Sequence, residues 1–269
     1  MTKLVWDAIG DRLYETGVEN CALYRLGTGT DLGKYVDGVA WNGITSIAQN
    51  RTGADANDVY ADDIKYLTLR GVEKEEGTIE AYTYPEEFEE CDGTANFGSG
   101  VPGLVVHQQP RKGFGLAYKT ILGNDQAYED YGYKLHLIYG CTCSPSEKSY
   151  STINDSPEAI TFSWSFTTTP VAVSGKKPAS SLEIDSTKAN ATALARLEAV
   201  LFGADEFDAT KSAYAVGDMV TYENKLYQCN TAISAAAAWA SAKWTKVSDT
   251  TVPGMPLPDE VVTLLTASS

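Results

Sequence analysis

The chain has 269 residues, of which 43% are hydrophobic and 10% aromatic, which is enough for one large core or two smaller ones and excludes global disorder. Its 36 Asp and Glu outweigh 21 Lys and Arg, for a net charge of -15. That excludes the basic footprint of a nucleic-acid binder, though an acidic wall suits a protein past which nucleic acid must slide without sticking.

The first residues lose their apolar character at Asp7, and Asp11, Arg12 and Glu15 follow. No secretory run of roughly 7–15 apolar residues is present. No stretch reaches the ~20 apolar residues of a membrane helix. These features predict synthesis in the cytosol and no membrane partner. From about Cys21 to Asp185 the pattern is mostly period two. It predicts strands over 64–69, 78–82, 114–120, 133–139, 158–169 and 181–185. In the fifth, Ile160, Phe162, Trp164 and Phe166 alternate with Thr161, Ser163, Ser165 and Thr167. Leu135, Leu137 and Tyr139 face inward in the fourth. Phe114, Leu116, Tyr118 and Thr120 share one face of the third. Clusters of Gly, Pro, Asn and Asp separate the strands, which points to an antiparallel sandwich or barrel.

Two helices interrupt the strands. One covers 85–90, with Pro85 in its first turn and Glu86, Glu87, Glu89 and Glu90 near its positive end. The other covers 191–202, with Leu194, Leu197 and Leu201 at helical spacing. Asn190 is its N-cap and Gly203 its C-cap. Beyond residue 203 the composition changes. Residues 204–211 are polar and acidic. A compact stretch over 214–247 has its own aromatics: Tyr214, Tyr222, Tyr227, Trp239 and Trp244. A Thr/Pro/Gly linker (248–258) and an amphipathic segment (260–265) close the chain. Acids exceed bases by 28 to 17 in residues 1–204 and by 8 to 4 in 205–269, so neither part is a basic module.

No catalytic set is legible. Cys21, Cys91, Cys141, Cys143 and Cys229 are an odd number and predict free thiols. Cys141-Thr142-Cys143 has no second pair or nearby His to complete a zinc site. His107 and His136 are the only histidines, and His136, between Leu135 and Leu137, reads as a satisfied structural residue. Neither a nucleophile elbow nor a nucleotide-binding glycine motif occurs, and the glycine-rich stretch 93–103, with Gly98-Ser99-Gly100, reads as a loop. Glu86-Glu87-Phe88-Glu89-Glu90 reads as a solvated acidic face rather than a glycosidase carboxylate pair. Asp55-Ala56-Asn57-Asp58 lacks the glycine and distal Glu of a calcium loop. No cofactor, metal or catalytic residue is predicted.

An ordered series of segments resembles the major tail protein, or tail tube protein, of bacteriophages with long non-contractile tails. The series runs through Trp6-Asp7, Gly38-Val39-Ala40-Trp41-Asn42-Gly43, and Tyr60-Ala61-Asp62-Asp63-Ile64-Lys65-Tyr66-Leu67. It continues through Thr78-Ile79-Glu80-Ala81-Tyr82-Thr83-Tyr84-Pro85-Glu86-Glu87-Phe88, Gly132-Tyr133-Lys134-Leu135-His136-Leu137-Ile138-Tyr139-Gly140 and Ile153-Asn154-Asp155-Ser156-Pro157-Glu158. The resemblance covers most of residues 1–203. It implies a mainly β subunit, an antiparallel sandwich or barrel with a flanking α-helix. Such subunits form hexameric rings that stack into a tube around a tape-measure protein, and genomic DNA later passes through without specific binding. The implied place is the virion tail. Pro256-Leu257-Pro258-Asp259-Glu260-Val261-Val262 resembles the end of such proteins. The arm over 1–19 and the segment 41–63 are expected to order only on assembly.

The stretch Ala213-Tyr214-Ala215-Val216-Gly217-Asp218-Met219-Val220-Thr221-Tyr222, followed by Leu226-Tyr227-Gln228-Cys229, is similar to the small chitin-binding modules of bacterial chitinases. That likeness implies aromatics exposed to sugar rings. Trp239 matches the exposed tryptophan, with Tyr222 and Tyr227 as lesser glycan contacts, and Trp244 matches a packing residue. Asn224-Lys225 replaces the usual Asn-Gly turn. The alternative is that these aromatics are the core of a module of ~40 residues, which needs every apolar group it has. The expected organisation is a tube domain (1–204), an inserted β module (205–252) with few contacts across its linkers, and a segment (253–269) returning to the tube domain. Cell-wall glycans are the implied outside partner. The competing reading is a secreted carbohydrate-binding protein or glycosidase accessory protein.

Overall fold

A computed structural model of the chain describes residues 4–53, 55–71, 73–97, 100–145, 148–150, 152–153 and 159–266. The strands are β1 (Leu13–Leu26), β2 (Tyr35–Ala40), β3 (Ile44–Thr52), β4 (Ala56–Ala61), β5 (Ile64–Arg70) and β6 (Lys74–Ala81). After a short helix α1 (Glu89–Asp92) come β7 (Ala95–Asn96), β8 (Val105–Val106), β9 (Phe114–Asn124), β10 (Tyr128–Cys143), β11 (Phe162–Thr168) and β12 (Ser181–Asp185). Helix α2 (Ala191–Phe202) precedes β13 (Met219–Tyr222), β14 (Lys225–Cys229), β15 (Trp244–Ser248) and helix α3 (Pro258–Thr266).

One antiparallel sheet runs β2-β1-β9-β10-β11-β6-β3, with β12 also paired to β10. It folds over itself into a sandwich and does not close into a barrel, because β2 and β3 remain its two ends. The fold occurs within β10. Its first part pairs with β12 from Lys134↔Asp185 to Ile138↔Ser181, and its last residues pair with β11 from Cys141↔Thr168 to Cys143↔Phe166. Between the two lies a bulge against β9, where Ile138 is opposite Leu116 and Cys141 opposite Phe114. Gly140, at φ +64°, takes the left-handed conformation that the corner needs. Tyr35 Oη accepts from the Gly140 amide at 2.7 Å, so the extra residue leaves no orphaned N–H.

The alternation read from the sequence is the alternation of two cores. Leu23, Ile79, Leu116, Tyr118, Ile138, Trp164 and Phe166 fill the space between the layers. There Phe88 packs edge-on to Trp164 at 5.2 Å and to Phe114 at 5.6 Å, so the acidic stretch 86–92 turns Phe88 and, from α1, Cys91 inward. Ala117, Leu135, Leu137 and Tyr139 point to the other face, where α2 and α3 cover them. Helix α2 begins where Asn190 Oδ1 accepts from the Ala193 amide at 3.1 Å and ends at Gly203, φ +88°. Its Leu194, Leu197 and Leu201 face the sheet, and Tyr24 Oη donates to Leu201 O at 2.8 Å.

Several expectations need correcting. The arm expected over 1–19 ends before β1: Leu13 to Glu19 pairs with β9 within the same chain. Its Glu15, Thr16 and Glu19 hide the strand from a hydrophobicity pattern. Residues 44–52 likewise pair along β6 rather than awaiting a neighbour. The β11 pattern begins at Phe162, not at 158, and Glu158, like 154–157 and Gly98-Ser99, lies outside the described residues.

Candidate functional site

Residues 205–252 build a three-stranded sheet, β13-β14-β15, around Tyr214, Val220, Cys229, Ile233 and Trp244. The β13–β14 hairpin turns at Glu223 and Asn224, both at positive φ (+48° and +59°). Tyr222 pairs with Lys225, so the turn is the two-residue type with both central residues left-handed. It lies one residue earlier than the Asn224-Lys225 position read from the sequence. Upstream, Phe207 N donates to Thr221 O at 2.8 Å and carries the Phe207 ring into the module core.

The three candidate glycan contacts do come together, but not as expected. Trp239 lies parallel to Tyr222 at 4.1 Å (11° between planes) and parallel to Trp244 at 5.1 Å (12°). Among the described residues no ring contact joins Tyr222 to Trp244, so they cover opposite faces of the indole. Tyr227 and Phe207 meet it edge-on at 4.9 Å and 5.1 Å. Trp239 is therefore the middle of an aromatic stack, with neither face free for a sugar, and it packs the module beside Trp244. The outermost ring of the stack is Tyr222, and Tyr222, Tyr227 and Trp239 are all half-buried. Trp239→Ala is expected to unfold the module, losing about 3 kcal/mol, because both stacking partners lose their contacts with it. The loss of near-UV circular dichroism from the module, at temperatures where the sandwich stays folded, measures it.

The module is not loosely tethered. Arg196, 5% exposed in the middle of α2, donates from Nε (3.0 Å) and Nη2 (2.6 Å) to Gln228 Oε1 on β14. Its Nη1 donates to Leu264 O on α3 at 3.1 Å, and Gln228 Nε2 donates to Thr192 O at 3.0 Å. One buried guanidinium thus joins the flanking helix, the module and the C-terminal helix. The sequence reading missed it, having expected few contacts across the linkers. An arginine on the inner side of an amphipathic helix was the available signal. Beyond the module, Met255 N donates to Tyr35 O (3.0 Å) and Gly38 N to Pro253 O (2.9 Å), so the returning chain lies along β2. Between this strap, α2, α3 and β15 runs a mostly apolar cleft of about 690 Å³.

Elsewhere several titratable groups are tied up structurally. Thr120 Oγ1 donates to Glu15 Oε1 at 2.6 Å, which leaves it to accept from His136 Nε2 at 2.9 Å. Burial lowers the His136 pKa against the opposing pull of Glu183 and Glu15, and its ring stacks on Tyr118 at 4.8 Å. All five cysteines are free and buried. Burial pushes the Cys21 and Cys91 thiols up to about 12, so neither is a ready thiolate. Glu90 is paired with Lys112 (2.5 Å) and Asp92 with Lys148 (2.9 Å). Among the described residues no three His, Cys, Asp or Glu side chains are placed to hold a metal ion. No described helix is long and apolar enough to cross a membrane.

Residues 209–250 match the model of carbohydrate-binding module family 5/12. That match covers the three-stranded unit with its aromatic stack. A search of curated proteins gives no match.

Proposed function

We propose that the chain is a structural subunit of a phage tail tube, whose copies close into hexameric rings that stack around a tape-measure protein. The unit at 205–252 faces outward and touches host glycans. One observation carries this reading: the sandwich leaves two apolar projections uncovered. The β4–β5 hairpin stands off the end of the β3–β6 pair, turning at Asp62 and Asp63 (φ +53° and +63°). Tyr60, Ile64, Tyr66 and Leu69 on it are all more than half exposed. A lone two-stranded ribbon is marginal in water, and such apolar surface marks a place where other copies pack. The second projection is the N-terminal arm, with Leu4, Val5, Trp6 and Ile9 exposed by 70–76%.

The role is mechanical, not enzymatic. The acid excess supports a lumen with few cationic anchors, through which DNA slides without counterion-releasing contacts. Electron microscopy of the purified protein tests the reading. Rings or tubes of uniform diameter are expected, and a monodisperse monomer at high concentration overturns it.

The family match supports the glycan contact, and our reading puts it on Tyr222 and Tyr227 rather than on Trp239, which is stacked between two rings. Repeated on every subunit, weak contacts gain avidity. Tyr222→Ala is expected to reduce retention of assembled protein on insoluble chitin or cell-wall glycan while leaving the module folded. Unchanged retention removes the glycan role and leaves the tube intact. The same match favours a second reading, a carbohydrate-binding protein acting alone. That reading requires full glycan retention by a particle that stays monomeric.

A further inference from the structure

We propose that the N-terminal arm of one subunit seats its apolar side chains in the 690 Å³ cleft of a second copy. The inference rests on the assembly reading above and names one of its joints. The arm is pinned at its base: Gly10 N donates to Asp125 Oδ1 at 2.9 Å, and Asn124 Nδ2 donates to Gly10 O at 3.2 Å. Residues 4–9 therefore leave from the β9–β10 turn, at the Leu13 end of β1. The cleft is at the other end. Its Tyr35 and Val36 pair with Leu26 and Arg25 at the far end of the same strand.

Distance decides whose cleft the arm can enter. β9 runs alongside β1 from Asn124, opposite Leu13, to Phe114, opposite Arg25, and at roughly 3.3 Å per residue that separates arm and cleft by roughly 33 Å. Trp6 stands seven residues before Leu13 and, fully extended, reaches at most about 25 Å. The arm cannot fold back into its own cleft, so a second copy must supply it. The chemistry matches. Leu4, Val5, Trp6 and Ile9 are largely exposed, and the cleft is lined by Val36, Val200, Leu226, Val252, Met255 and Leu264. Its size is that of pockets that enclose a small apolar ligand.

The geometry also sets the kind of assembly. Two unlike surfaces at opposite ends of one molecule make a head-to-tail contact, which propagates into rings or filaments instead of closing a dimer. The cleft owes one wall to Val247 and Ser248 of the module and another to α3. The module thus takes part in the joint as well as facing outward.

The test places a photo-crosslinking amino acid at position 6 of the full chain and assembles an equal mixture of light and heavy-isotope protein. Crosslinks from position 6 to residues 247–264 are expected, with light-to-heavy pairs among them. Val252→Arg/Thr263→Arg, two changes at solvent-exposed cleft positions, is expected to remove them. Tubes whose crosslinks land elsewhere, or lie only within a chain, overturn the docking and leave the tube reading standing. Failure of the unmodified protein to assemble overturns both.

Discussion

Alanine in place of Gly140 is expected to dismantle the sandwich, with a loss of about 4 kcal/mol. Two costs add. The residue sits at φ +64°, where a side chain is strained. The added Cβ would also lie 2.1 Å from Thr169 O and 2.9 Å from Thr169 N, both backbone atoms. That contact is no accident of packing, since Thr169 N donates to Gly140 O at 2.9 Å and this bond starts the β10–β11 pairing. The chain can make room only by pulling β11 away from β10, which opens the core around Trp164 and Phe166. Gly33 is the control. It has φ +84° but nothing within 4 Å of its would-be Cβ, so Gly33→Ala carries only the backbone cost, about 1 kcal/mol. Denaturant midpoints followed by tryptophan fluorescence compare the two. Equal losses would show that the corner does not depend on this close approach.

Gln228→Leu alone is expected to cost about 3 kcal/mol, while the pair Arg196→Met/Gln228→Leu costs well under the sum of the single changes. Removing Gln228 strips Nε and Nη2 of their shared acceptor while the guanidinium stays buried at 5% exposure. Leu264 O remains as a partner and keeps α3 attached. Removing both partners replaces a buried charge by apolar contact, which proteins tolerate. The measurement is a double-mutant cycle on unfolding, with limited proteolysis at 204–211 reporting whether the module has come off α2. Additive losses, or an uncut linker in Gln228→Leu, would show that the module is held by something other than this guanidinium. The outcome bears on assembly, because the cleft proposed to receive a neighbour's arm exists only while module, α2 and α3 stay together.

Local pattern was a reliable guide wherever one face of an element was uniformly apolar. β12 (Ser181–Asp185) and α2 (Ala191–Phe202) occur at their expected bounds, the helix with its Asn190 and Gly203 caps. β4–β5 shows the other side. Ile64 to Leu69 reads as a strand, and it is one, but every residue of β5 is exposed, so its pattern describes a surface that this chain does not bury. β1 fails for the opposite reason. Its first half carries glutamates and a left-handed Gly17 at φ +69°, and it is a strand because β9 offers it a ladder.

The mainly β class, the antiparallel pairing, the bounds of α2 and the presence of a separate aromatic unit were determined by the sequence alone, because alternation, caps and composition are local properties. Only the tertiary structure decided where the aromatics of that unit point. Trp239, Tyr222 and Trp244 are 5 to 22 residues apart in the chain, and whether an indole faces solvent or lies between two rings depends on how the strands beneath it close. The same holds for Arg196, whose partners lie 32 and 68 residues away. The switch of β10 between layers belongs here too, because a bulge and a close backbone approach are properties of pairs of segments, and a single segment carries no signal of the partner it will meet.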